Sequence, residues 1–357
     1  MNDLNLTTSY APAHDMRLIE PLGLLPPHAA ADAVAAGFAL PLAGAGAFTL
    51  ARLVYEETAP IAVTALTGAW RDTAARLGDA PPAWAGLPSH PAVMGIINVT
   101  PDSFSDGGRH LDPGRAVERA AAMIDAGVAM LDVGAESTRP GAEPVTISEE
   151  QQRLLPVLRR LAGLGVPISV DTRNAATMAA ALDAGASVIN DVSALTHDPD
   201  SAKLIARRGC PVVLMHMRGT PATMMQFRTY GDVAVDVTRE LADRLAMAEA
   251  AGIARERIAI DPGIGFAKGR RDSVAMLARL PILCNLGCRI LVGVSRKSLI
   301  GELTGSKDPG SRLPGSLAAG LFAVGLGATI LRVHDVEETV AALRTWRALS
   351  AWTTEAD

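Results

Sequence analysis

Eight apolar runs in this chain end in side chains that bind or move charge. The residues are Asn98, Asp132, Asp171, Asn190 with Asp191, His216 with Arg218, Asp261, Ser295 with Lys297, and Arg332 with His334. Polar groups at the end of a buried strand need water or a ligand, so clusters at every run point to a shared binding site. The clusters sort by charge. Arg332 and His334 flank a single residue, so on a strand their side chains share a face. With Asn98, and with Arg139 as a further candidate, they make a clamp for an anion such as a phosphate. The same Arg-x-His pattern also fits a plain salt bridge and a helix-capping histidine. Asp171, Asn190, Asp261 and Lys297 offer carboxylates, an amide and an amine, which suit a flat heterocycle carrying donors and acceptors. Ser298, in "SRKS", either opens a helix whose N–H groups welcome a carboxylate or is a plain helix start. Asp335 reads as the N-cap of the helix that follows it.

These residues need a scaffold that brings strand ends together. The runs "AVMGIINVT", "VAMLDVGAEST", "PISVDTR", "SVINDVS", "PVVLMHMRG", "RIAIDPGIGF", "RILVGVSRKS" and "TILRVHD" are apolar without alternation, as strands covered on both faces are. Between or after them, "GRAVERAAAMIDAG", "NAATMAAALDAG", "VTRELADRLAMAEAAG" and "VEETVAALRTWRAL" show Ala/Leu-rich helical periodicity, often with a closing Gly. Strand–helix units over residues 91–350 predict an α/β fold, a (β/α)8 TIM barrel of the usual size of about 250 residues. In such a barrel the loops after the strands build the site. That explains why "MGIIN" runs directly into the polar "VTPDSFSDGG". A doubly wound open sheet is the rival, but its Gly-rich dinucleotide loop after the first strand is missing.

The stretch "DAPPAWAGLPSHPA", residues 79–92, has four prolines and no apolar period, so it reads as a linker or a wrapped connection. It separates an N-terminal extension of mixed α/β character, residues 1–90, from the barrel, residues 91–357. Within the extension "IAVTALTG" suggests a strand and "AWRDTAARLG" a helix; no function is readable there. Residues 33–50 are uncharged, but their Ala/Gly content and Pro41 favour buried core over a membrane span.

Composition narrows the function. The net charge is −5 with no basic blocks, which removes the electrostatic footprint of a nucleic-acid binder. Three cysteines, Cys210, Cys284 and Cys288, are too few and odd for a disulfide framework and imply a reducing compartment, the cytoplasm. Cys284 and Cys288 lack a second ligand pair and read as buried thiols rather than half a metal site. The polar opening "MNDLNLTTSY" leads us to expect no secretory signal.

With these residues in view, the series becomes recognisable. "GIINVTPDSFSDGG", "LDVGAESTRPG", "SVDT", "INDVSA", "MHMRGTP", "DPGIGF.K", "VGVSRKS" and "RVHDV.ET" resemble, in order, the signatures of the dihydropteroate synthases, over residues 91–341. The resemblance implies a TIM-barrel transferase of folate synthesis that joins 6-hydroxymethyl-7,8-dihydropterin diphosphate to 4-aminobenzoate. It implies that Asp171, Asn190, Asp261 and Lys297 hold the pterin, that Asn98 binds Mg²⁺, that Arg332 and His334 hold the diphosphate, and that Val333 is a further substrate-binding residue. It places Phe104 and Asp106 on a first mobile loop and Thr138 and Arg139 on a second, with Asp106, Arg139 and Lys297 nearest the chemistry. Met215, Pro140, Phe266 and Ser298 would complete the substrate pocket. Gly107 and Gly108 would let the first loop close as a lid. Mg²⁺, sulfonamide sensitivity and a homodimer are also implied.

The chain departs from the family pattern at Ala135 and Ala267, where Gly is usual, and in "GRRDSV" after Lys268. These departures touch the sixth loop and the role of Lys268, not the pterin pocket. Two rivals remain open here: a methyltransferase-type pterin barrel, which needs no diphosphate clamp, and a non-catalytic pterin-binding protein.

Overall fold

The computed structural model describes residues 16–54, 56, 59–99, 113–137 and 145–351. The N-terminal extension forms a small α/β layer. Strands β1 (Ile19–Leu25), β2 (Leu40–Leu42), β3 (Gly46–Leu53) and β4 (Ile61–Ala62) make an antiparallel sheet in the order β1-β3-β2, with β4 also on β3. Helices α1 (Pro27–Ala35) and α2 (Gly68–Arg76) accompany it. The uncharged stretch 33–50 is thus the end of α1, a turn, β2 and most of β3. Among the described residues no helix is long and apolar enough to cross a membrane. The stretch "IAVTALTG" gives less strand than its composition suggests: two residues pair with β3, and Val63–Ala65 turn into a 3₁₀ helix.

The eight apolar runs become β5 (Ala92–Asn98), β6 (Met130–Gly134), β7 (Ile168–Asp171), β8 (Val188–Asp191), β9 (Val212–Met215), β10 (Ile258–Asp261), β11 (Arg289–Val292) and β12 (Ile330–Val333). They close a parallel barrel in the order β10-β11-β12-β5-β6-β7-β8-β9. Around it lie α3 (Pro113–Asp125), α4 (Ile147–Leu161), α5 (Ala175–Asp183), α6 (Ser201–Arg208), α7 (Val233–Ala250), α8 (Arg270–Ala278), α9 (Ser298–Thr304), α10 (Leu313–Gly325) and α11 (Val336–Ser350). Local signals set their ends. The Thr146 hydroxyl accepts the Glu149 N–H at the start of α4, Asp232 caps α7, and left-handed Gly209 stops α6.

Strand period two then divides the barrel interior. Met94, Met130, Val188, Val213, Ala259, Leu291 and Ile330 pack together at the N-terminal end of the strands. Two residues further along, Asp132, Asn190, Met215, Asp261 and Arg332 point the same way, toward the opposite mouth. Apolar bottom and polar top therefore come from one alternation.

The proline-rich stretch is a wrapped connection that closes the bottom. Trp84 and Leu87 join the apolar layer, and Trp84 is 2% exposed. The Trp84 Nε1–H donates to the Arg257 carbonyl at 2.9 Å. Buried Arg289 donates to the carbonyls of Pro82 and Pro88, at 3.1 and 2.8 Å. The strap thus packs as part of the barrel, ahead of residue 91. The N-terminal layer docks beside it. Buried Glu20 accepts from Arg52 at 2.6 Å and from Arg279, which also holds Asp232 at 2.7 Å. Asn285 bonds both the N–H and the carbonyl of Ile19.

Candidate active site at the barrel mouth

Arg332 is the hub of the mouth. Ile330 belongs to the packed layer, so Arg332, two residues on, turns inward above it. Its Nε donates to Asp132 Oδ2 at 2.6 Å and its Nη2 to Asp171 Oδ2 at 2.9 Å. Asn190 Nδ2 donates to the same Asp132 oxygen at 3.2 Å. One cluster thus joins β6, β7, β8 and β12. Asp132 is fully buried, and its Oδ1 has no partner among the described residues. Burial raises the Asp171 carboxyl, against the pull of Arg332. Burial alone would lower Arg332, but Asp132 and Asp171 overcome it and hold the guanidinium charged. Those carboxylates take Nε and Nη2, and among the described residues Nη1 is the nitrogen left to meet a ligand.

Asp261 serves two purposes at once. Its Oδ1 accepts the Gly263 N–H at 2.7 Å, capping the turn, while its backbone carbonyl accepts the His216 N–H at 2.8 Å. Burial raises this carboxyl too, and Lys297 opposes that. Gly263 is required here: its φ is +64°, and a Cβ would lie 2.0 Å from the His216 carbonyl oxygen. Lys297 sits at the N-cap position of α9 without capping it and sends Nζ back to the Ile264 carbonyl at 2.5 Å. The ammonium lies 4.8 Å from the Phe266 ring centroid, within cation–π range. Burial brings Lys297 down to about 8, with Asp261 opposing. A Cβ on Gly293 would be 3.9 Å from both Lys297 Nζ and Arg332 Cβ, so both cationic side chains border that glycine.

His334 stands beside Arg332. Its Nδ1 lies 3.1 Å from Ser295 Oγ. Burial, then Arg332, Arg296 and Arg119, push the imidazole down to about 4. The expected side-chain cap by Asp335 is not made. The residue sits at the N-cap of α11, but its carboxylate pairs with Arg296, whose Nε is 2.9 Å away. Arg296 has φ +59°, a costly region for a side-chain-bearing residue. It is held there by its N–H to Ser316 Oγ and by Arg312 on its carbonyl.

The remaining candidates fall in different places. Asn98 ends β5, half-buried, in register with Gly134. Met215 points inward and is buried. Val333 turns its side chain outward, lining a small apolar cavity with Leu317, Gly320 and Thr339 between the barrel and its helices. Ser298 is exposed at the start of α9. Phe104, Asp106, Thr138, Arg139 and Pro140, with Gly107 and Gly108, lie outside the described residues.

Three polar residues at strand ends brace loops rather than face the mouth. Asp191 accepts from the N–H groups of Ser193 and Leu195. His216 meets Glu240 through Nε2 at 2.9 Å and Lys268 through Nδ1 at 2.8 Å. Arg218 donates its Nε to Glu240 at 3.0 Å. Lys268 also donates to the carbonyls of Gly263 and Phe266, both at 3.1 Å, and so pins the loop after β10. Burial brings Lys268 down to about 7 and His216 to about 4. Burial would raise Glu240, but bonds from His216 and Arg218 bring it down to about 2. Ala267, one of the departures, takes φ +49° in this loop, and Tyr230 donates to its carbonyl at 3.0 Å.

Sequence reading missed Asp132 as a hub; the available signal was its place two residues after inward-facing Met130. It missed Glu240, which carries no motif. The mouth now has a wall of acceptors with one amine and a cationic corner beside it. That arrangement fits a flat heterocycle joined to an anion.

Comparison with known proteins agrees. Residues 94–334 match the family described as pterin binding enzyme. Dihydropteroate synthase of Escherichia coli (strain K12) is 47% identical over 257 residues, 72% of this chain and 90% of that protein. A probable bifunctional folylpolyglutamate synthase/dihydropteroate synthase of Haloferax volcanii is 47% identical over 255 residues, 71% of this chain but 30% of that protein. The structure of Xanthomonas albilineans dihydropteroate synthase with 4-aminobenzoic acid is similar at TM-score 0.69 and 49% identity, covering 73% of this chain and 94% of that one.

Proposed function

The chain belongs to the pterin-binding enzyme family, and from that premise we propose how its barrel mouth works. It is a transferase of folate synthesis that condenses 6-hydroxymethyl-7,8-dihydropterin diphosphate with 4-aminobenzoate, giving 7,8-dihydropteroate and pyrophosphate. The observation that carries the division of labour is the meeting of Asp171, Asn190, Asp261 and Lys297 with Arg332 and His334 at one mouth.

The 2-amino-4-oxo edge of a pterin presents two N–H donors side by side, which the ionised Asp261 carboxylate accepts. Asn190 and Asp171 meet the rest of the ring edge, and Lys297 donates to an acceptor of the pterin. Arg332 Nη1 and the His334 imidazole receive the diphosphate as charge builds on it. The CH₂ left behind is cationic, and the electron-rich pterin spreads that charge, with Asp106 assigned to stabilise it. The arylamine attacks as a neutral species, so no strong base is needed. Phe266, Pro140 and Ser298 border the aminobenzoate, Thr138 and Arg139 belong to the second loop, and buried Met215 lies level with Asp261 on the pterin side. An arylsulfonamide carrying the same para-amine would compete there.

Mg²⁺ fits the donors present. Asn98 offers a hard amide oxygen at the end of β5, the strand paired with the β12 of Arg332, and Mg²⁺ takes few protein oxygens when phosphates supply the rest. When bound, it would neutralise charge on the departing diphosphate. Three buried thiols suit a reducing cytoplasm. Helix α10 is apolar along its length and leaves Phe322 52% exposed, a face suited to a second copy of the chain. Sedimentation should give a dimer that Phe322→Asp splits. The test of the activity is the product: 7,8-dihydropteroate must form, by mass, when both substrates are present.

A further inference from the structure

Ser295, on the loop after β11, is 6% exposed, and among the described residues its side chain makes two hydrogen-bond contacts, both to His334. Its Oγ accepts the His334 backbone N–H at 3.1 Å and lies 3.1 Å from the Nδ1 of the same residue. A hydroxyl has one proton to give and two lone pairs. With one lone pair already taken by the backbone, two arrangements remain. In the first, the hydroxyl proton goes to Nδ1, and the imidazole carries its own proton on Nε2. In the second, Nδ1 is protonated and donates to Oγ, and the hydroxyl proton needs a third partner. No described residue accepts it, and an unpaired buried donor is costly. The first arrangement pairs the Ser295 hydroxyl fully and leaves the Nε2–H, which meets no described residue, for a ligand.

We infer that Ser295 is a positioning residue that locks His334 as the neutral Nε2–H tautomer, so that the imidazole donates a hydrogen bond to the departing diphosphate. The inference rests on the assignment of His334 to the diphosphate side. Two further observations support it. The Arg296–Asp335 pair ties the same two loops together, which fixes the backbone geometry Ser295 needs. Three arginines face the ring, Arg332, Arg296 and Arg119, and they disfavour a second proton on it, while Asp335 is the facing acid and is held by Arg296. His334 therefore acts as an aimed donor and not as a cation or a general acid.

The test uses the full chain labelled with ¹⁵N-histidine. Long-range ¹H–¹⁵N correlation at neutral pH reports the tautomer, with the His334 signals assigned by their loss in His334→Gln. Wild type should show a protonated Nε2 and a bare Nδ1. Ser295→Ala should mix the tautomers, and Ser295→Thr, which keeps the hydroxyl, should restore the lock. In calorimetry with Mg²⁺ and inorganic pyrophosphate, Ser295→Ala should bind about tenfold more weakly, the worth of one hydrogen bond. Ser295→Thr should stay close to wild type, and affinity for a diphosphate-free pterin should hold in both. A wild-type Nδ1–H tautomer, or an unchanged tautomer in Ser295→Ala, would overturn the inference. Lost tautomer control with undiminished pyrophosphate binding would overturn its functional half. A wild type that binds no pyrophosphate would sink the assignment of His334 itself. The tautomer signal, read without ligand, tells that failure apart from a misplaced Ser295.

Discussion

Replacing Asp261 by Asn isolates the pterin anchor from the turn it caps. Asp261 Oδ1 already accepts the Gly263 N–H at 2.7 Å. An Asn keeps an oxygen for that bond, so the turn survives. The amide nitrogen then takes the place of the other carboxylate oxygen and meets a pterin N–H donor to donor. The variant loses a charge-assisted pair and leaves a donor unpaired, a cost of roughly 2–4 kcal/mol. At about 1.36 kcal/mol per tenfold, affinity falls roughly 30- to 900-fold. Stability should change little. Burial raises the Asp261 carboxyl, so at neutral pH its ionised form opposes folding: the stability it lends is present in acid and is lost as pH rises past the ordinary carboxylate range. Asn removes that opposition but also removes the counter-charge of Lys297. Calorimetric titration with a diphosphate-free pterin is the assay, with thermal melting as control. Affinity within about threefold of wild type, under ~0.7 kcal/mol, would refute the anchor role and leave Asp261 as a turn cap.

Arg332→Ala should weaken pyrophosphate binding by roughly 2–5 kcal/mol, and the structure adds a second loss. Asp132 and Asp171 would lose their counter-ion, so denaturant titration should show a fall of about 3–5 kcal/mol, and pterin affinity should drop as well. Unchanged stability would contradict the paired geometry. Gly263→Ala should abolish pterin binding in a folded protein, since its Cβ would meet the His216 carbonyl at 2.0 Å; retained affinity would show that the turn relaxes. Pterin affinity should hold up to pH ~7.5 and fall above about 8, as Lys297 loses the proton it donates. Asp261→Asn should move that fall to lower pH, because Asp261 supports the charge; a decline only near the ordinary lysine range would contradict it. A chain starting at Asp79 should fold and bind pterin, whereas one starting near Ser89 loses Trp84 and both acceptors of Arg289. Chemical denaturation should separate the two by at least ~3–5 kcal/mol, the range for deleting a buried Trp, and equal midpoints would show the strap to be dispensable.

The barrel was legible because parallel strands buried on both faces leave continuous apolar runs, and because period two carries the pattern from Met130 to Asp132 and from Ile330 to Arg332. Asp261 and Lys297 were legible as strand-end polar residues for the same reason. What pairs with what was not. Arg332 and Asp132 are 200 positions apart, and only barrel closure brings β12 round toward β6. The Arg-x-His pattern was read as either a clamp or a salt bridge. The structure shows Arg332 engaged by two carboxylates, with no described residue on Nη1. The role of Lys268 is not readable locally, because its side-chain partner His216 comes from another strand end and is itself held by Glu240 from the middle of a helix. Asp335 looked like a cap because caps are local; its arginine lies 39 positions back. The strap was marked by its prolines, but Trp84 inside the barrel follows from packing that no local pattern records.

Pyrophosphate release in omission experiments tests the central claim most directly. Purified protein with Mg²⁺ is given pterin diphosphate alone, 4-aminobenzoate alone, or both, and pyrophosphate and dihydropteroate are counted. Release should require both substrates and yield one pyrophosphate for each dihydropteroate. Release at the same rate from pterin diphosphate alone would make the protein a hydrolase. Saturable pterin binding with no release in any mixture would make it a binding protein, and either result would contradict the transferase reading of the mouth.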